Sequence, residues 1–74
     1  MHTAIHVAGT RHDISRGLVT GAAIYNLADI DPARQRLLLE LADDRDIPLR
    51  HDDYIVINGR ERFSVADGPQ PADD

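Results

Sequence analysis

The chain has 74 residues, a formal net charge of -5 and no cysteine, a length that supports one small domain with a thin core and no deep cleft, so that no enzyme is expected. Its eight basic residues are all Arg and lie scattered among acids, which excludes a partner bound by neutralising phosphates. The missing cysteines exclude disulfides and thiol catalysis, and no apolar run approaches the ~20 residues of a membrane-spanning helix.

Met1-His2-Thr3 has no basic region followed by an apolar run, so no secretion signal is read there and a cytoplasmic location is expected. Thr3 to Ala8 alternates, with Ile5 and Val7 on one face and His6 on the other, which predicts a strand. Gly9-Thr10 is a turn signal, and Arg11 to Val19 is a second extended run with Ile14 and Leu18 as its apolar members. The weak alternation of that run suits an edge strand, and the two runs together predict an opening hairpin. Thr20 supplies a capping oxygen for a helix starting at Gly21-Ala22-Ala23. Ile24, Leu27 and Ala28 then form one apolar stripe, and Pro32 predicts an end near Asp29 to Asp31.

Residues 31–42 support two readings. Asp31-Pro32 is a good cap and first-turn pair, and the Arg, Gln and Leu residues beyond it favour helix. Read with period two, Leu37, Leu39 and Leu41 share one face and Leu38 and Glu40 the other. Asp43-Asp44-Arg45-Asp46 is a polar loop, and Ile47 and Leu49 alternate across Pro48 as a short edge strand. His51-Asp52-Asp53 is a turn, Tyr54 to Ile57 a strand, Asn58-Gly59 a turn pair, and Arg62 to Val65 a strand with Phe63 and Val65 inward. Past Ala66 only Asp, Gly, Pro, Gln and Ala remain, with no aliphatic or aromatic side chain of the core-forming kind. The expected organisation is therefore a domain over 1–66 and a disordered tail over 67–74.

Three strings sharpen this outline. Val19-Thr20-Gly21-Ala22-Ala23-Ile24 opens the helix, Asp52-Asp53-Tyr54-Ile55-Val56-Ile57 precedes the last turn, and Gly59-Arg60-Glu61-Arg62-Phe63 leads into the last strand. In this order and spacing they resemble the bacterial multiubiquitin family of ubiquitin-like domains, over residues 3–66. The resemblance implies an α+β fold of the β-grasp ubiquitin-like type, a mixed sheet of about four to five strands packed on one short helix. It selects strand for Gln35 to Leu41, and it implies that Ile5, Val7, Ile24, Leu27, Leu37, Leu39, Ile57 and Phe63 form the core. It also implies a monomeric protein modifier with no cofactor, partnered by activating-enzyme-like, conjugating-enzyme-like and metalloprotease-like proteins. Some members of the family are linked to phage defence.

A modifier of this kind ends in Gly, because activation needs an unhindered and flexible terminal carboxylate. Here the last residue is Asp74, but Gly68 lies three residues beyond Val65 and is followed by Pro69. The pattern resembles a precursor from which a protease removes 69–74 to expose Gly68; an ordinary flexible end fits the same residues. Without Lys, the chain offers no ε-amine for lysine-linked chains of itself, although an Arg-rich coding bias is the simpler cause of that absence.

Other constellations carry less. His2 and His6 share a strand face but stand about 13 Å apart at ~3.3 Å per residue, too far to share a metal ion at about 2 Å bonds. Asp43, Asp44 and Asp46 lack the Gly and the closing Glu of a calcium loop. No Ser, His and Asp arrangement argues for catalysis. With Leu37, Leu39 and Leu41 inward, Leu38 faces outward, where Ile47 or Leu49 would join it in a docking patch for a partner protein.

Overall fold

The computed structural model describes residues 1–69. In chain order it contains β1 (His2–Val7), β2 (Thr10–Ser15), β3 (Gly17–Thr20), α1 (Gly21–Leu27), β4 (Gln35–Glu40), β5 (Asp46–Leu49), β6 (Tyr54–Ile57) and β7 (Arg62–Asp67). A five-stranded sheet has the order β2-β1-β7-β4-β5, and β3 pairs with β6 in a separate two-stranded ribbon. β1 and β7 run parallel at the centre of the larger sheet, and its other pairs are antiparallel. The single short helix packed on a mixed sheet is the expected β-grasp, ubiquitin-like α+β arrangement.

The opening hairpin turns one residue earlier than the sequence suggests. Val7 pairs with Thr10, and Ala8 and Gly9 both have positive φ, 50° and 83°. That is the two-residue turn whose twist matches flanking strands, and Gly adopts it without steric cost. The predicted second strand, Arg11 to Val19, is broken. Gly17 at φ 113° bends the chain after Arg16, so β2 stays on β1 while β3 crosses to pair with β6.

Thr20 caps α1 as expected, its hydroxyl accepting from Ala23 N–H at 3.2 Å. The helix stops at Leu27, short of the expected end, and Asp29 turns out of it at φ 56°. Its buried face is Gly21, Ile24 and Tyr25, with Ala28 packed beside them. Leu27, expected in the core, is instead on the exposed side of the helix, and Tyr25 occupies the interior place. A buried tyrosine hydroxyl needs partners, and that of Tyr25 has two. The hydroxyl donates to Leu49 C=O at 2.6 Å and accepts from Leu37 N–H at 2.9 Å. A buried phenol so satisfied keeps its hydrophobic gain without an unpaired polar atom.

Gln35 to Glu40 is a strand, as the resemblance required. The helical signal at Asp31-Pro32 is real but local. Asp31 C=O accepts from Gln35 N–H at 3.0 Å, and its carboxylate accepts from Ala33 N–H at 2.9 Å. One turn forms, and then β4 pairs on both sides, with β7 and with β5. Leu37 is fully buried there against Ile5, Val7, Ile24, Tyr25, Ile57 and Phe63, while Leu39 is only partly buried at the core's margin. Leu49 also belongs to the core, which removes it from the surface patch expected of it. β7 continues through Asp67, one residue past the expected domain edge, and 70–74 lie outside the described residues.

Candidate functional site

The end of β7 is held by β4. Gly68 N–H donates to Arg34 C=O at 2.8 Å, and Arg36 Nη1 donates to Asp67 C=O at 2.6 Å. Gln35 Nε2 adds a long contact of 3.5 Å to Asp67 Oδ1. Gly68 itself is half-buried at φ 102°, a conformation other residues adopt with strain, and Pro69 beyond it is exposed. A Cβ at Gly68 would approach only the flexible Arg36 guanidinium, at 3.0 Å. The backbone angle, more than space, is therefore what asks for glycine. The role of Arg34 and Arg36 could not be read from the chain, because it depends on the register that pairs Gln35 with Asp67 across the sheet.

The outward docking patch is narrower than expected. Leu38 pairs with Pro48 on one side and Ser64 on the other, so these three share the face turned away from the helix. Ile47 and Leu49 stand opposite Leu39 and Leu37 in the same ladder, which places both on the inner face. Leu49 is 6% exposed, while Ile47 at the sheet edge is 48% exposed. The structure therefore does not bring Leu38 together with either. Leu38 is half-buried between the neighbouring strands.

An open groove of about 420 Å³, missed in the sequence, lies beside the tail's exit. The hairpin end at Val7 and Ala8, the helix exit at Ala28 and Ile30, and Val65 of β7 give it an apolar lining. His12, Asp29 and Gln35 supply its polar rim.

The approach to β7 is fixed by Glu61. Its carboxylate accepts from the N–H groups of Asn58, Gly59 and Arg60 at 2.9–3.2 Å. Burial acts to raise the Glu61 pKa, but the backbone donors, its own N–H included, outweigh it and hold the group below its ordinary 4.5. Asn58-Gly59 consequently makes no hairpin. It is a corner that carries the chain from the ribbon, where β6 pairs β3, to the large sheet, where β7 enters between β1 and β4. Among the described residues no three His, Asp or Glu side chains gather as metal ligands, and no helix is long and apolar enough to cross a membrane.

The family comparison now bears on this geometry. The model of the multiubiquitin family matches residues 3–68, from the start of β1 to the glycine after β7. The chain belongs to the multiubiquitin family. Comparison with curated proteins gives no match, and comparison with solved structures gives none. The family match makes this a ubiquitin-like domain, and the last residue it covers in this multiubiquitin chain is Gly68.

Proposed function

We propose that this ubiquitin-like domain is a protein modifier, made as a precursor, whose C-terminal extension is removed so that Gly68 becomes the carboxyl end activated for attachment to targets. The observation that carries the reading is the position of Gly68: it follows β7 directly, and the family match ends on it. Pro69 on its far side is exposed. The domain supplies recognition and a reactive end, and the chemistry belongs to its partners. Those would be metalloprotease-like, activating-enzyme-like and conjugating-enzyme-like proteins of a bacterial conjugation system, acting in the cytoplasm and, as in some members of the family, in phage defence. The test is to incubate the chain with a candidate protease, then with ATP and a candidate activating enzyme, and to follow intact mass. The reading expects loss of 69–74 followed by an adduct on the enzyme; a mass that never changes would count against it.

A second reading has one observation of its own. Leu38, Pro48 and Ser64 lie side by side on the outer sheet face, suited to a non-covalent adaptor that docks there without tail chemistry. Under it, Leu38→Asp abolishes partner binding while Gly68→Ala leaves partner binding intact.

A further inference from the structure

The central sheet has a notch at one end. β1 pairs only with Arg62 and Phe63 of β7, whereas β4 runs alongside β7 from Phe63 to Asp67. The opening hairpin turns back at Ala8 and Gly9. The last ~13 Å of β7, at ~3.3 Å per residue, therefore has a strand on one side alone. Gly68 N–H bonds Arg34 C=O, and backbone groups alternate sides along a ladder, so Ser64 and Ala66 also turn theirs to β4. Val65 turns its own to the notch. Ala8 N–H donates to Phe63 C=O, and Arg36 Nη1 to Asp67 C=O, but among the described residues no hydrogen bond from the hairpin reaches Val65. The open groove of about 420 Å³ lies at this notch, with Val7, Val65, Ala28 and Ile30 as its apolar lining. Asp29 stands on its rim beside His12 and is exposed, and it makes no ion pair among the described residues.

We propose that this notch binds an extended segment of a partner protein, which adds as a strand beside Val65 and carries an apolar residue with Arg or Lys two positions away. Strand addition draws affinity from main-chain bonds and specificity from pockets for alternate side chains. Residues two apart on a strand share a face, so the apolar side chain enters the groove while the basic one meets Asp29. Charge selects this occupant over the two that the chain itself could supply. Its own end, 69–74, contains Asp73 and Asp74, which would set like charges against Asp29, and Pro69 and Pro71, which have no N–H to give. A second copy brings a net charge of -5 and no Lys. The contact is short, so binding is weak and reversible. The inference is independent of what happens at Gly68, because the notch is complete within the folded residues.

The probe is a capped seven-residue peptide of Thr with Leu at its third position and Arg at its fifth, titrated into the full chain and followed by amide spectra. Saturable shifts are expected at Ala8, Asp29, Val65 and Asp67, with Val65 N–H exchanging about tenfold more slowly at saturation. Two further peptides are N-methylated at alternate positions, so that only one of them loses the donors facing β7. That one is expected to stop binding and the other to bind as before. Asp29→Asn suits the left-handed backbone at φ 56° and is expected to weaken the Arg peptide by about two- to fivefold. A peptide with Gln in place of that Arg is expected to bind both chains equally. Asp44→Asn, the same change of charge beyond the other end of β4, is expected to have no effect. No shift at Val65, tolerance of both methylation patterns, or equal responses to the two Asn variants would overturn the proposal. So would a Val65 amide that is protected in the free chain and opens when 69–74 are removed, which would make the tail the occupant. A Val65 amide that shifts with protein concentration alone would overturn it in favour of a second copy.

Discussion

The phenol of Tyr25 reaches from the helix to the point where Leu37 of β4 faces Leu49 of β5, and it bonds the backbone of both. Tyr25→Phe keeps the ring and leaves a buried N–H and a buried C=O without that partner. The expected cost is about 2–4 kcal/mol, read by denaturant unfolding as a lower midpoint at unchanged slope. Glu61 acts at the same scale and brings a pH dependence. Its folded pKa lies below the ordinary 4.5, so its contribution to stability is complete above that value and is lost as pH falls through the lowered folded one. Glu61→Gln is expected to remove this acid-side loss. Because the carboxylate is partly solvated, the expected cost at neutral pH is only about 1 kcal/mol. A pH series of unfolding midpoints for the two chains checks both statements.

Two junctions decide the arrangement of elements. Gly21 opens α1 where its N–H donates to Asp53 C=O at 2.7 Å, and a Cβ added there would run into the Arg50 carbonyl. Gly21→Ala is therefore expected to cost about 3 kcal/mol or more, since backbone on both sides must move; thermal unfolding measures it. The other junction is the β4–β7 seam. If Arg36 steadies the strand end, Gly68 N–H should exchange slowly with solvent, and Arg36→Ala should speed it while leaving core amides unchanged. The elements differ in how far the sequence exposes them. The Thr20 cap, the alternation at Ile5 and Val7, and the aromatic and β-branched run Tyr54 to Ile57 declare themselves locally. Residues 35–41 do not, because their leucines satisfy two periodicities, and only pairing with β5 and β7 resolves them. The outer patch was misread for the same reason. Alternation assigns Leu38 a face, but whether Ile47 and Leu49 share that face depends on register, which one strand does not contain. The break at Gly17 and the ribbon it creates also arise from partner choice between distant segments.

At the scale of the whole molecule, a mixed sheet packs on one two-turn helix, and the groove beside the tail's exit is open to the surface. The last strand enters the centre of the sheet beside β1 and carries the chain out at Gly68. Under the proposed reading, an end exposed at Gly68 would leave a paired central strand and could be offered to an enzyme without disturbing the core. Conjugation through that terminus would leave a signature that the sequence defines. Trypsin cuts after Arg62 and finds no Lys or Arg between Phe63 and Gly68, so each modified target lysine would retain Phe63–Gly68 as a branch. Mass spectrometry of tryptic digests from cells carrying the intact system is the direct measurement. The account expects lysine-containing peptides bearing that Phe63–Gly68 branch, absent when Gly68 is deleted. Recovery of the chain solely as an uncleaved species ending in Asp74, with no branched peptide at any lysine, would contradict it.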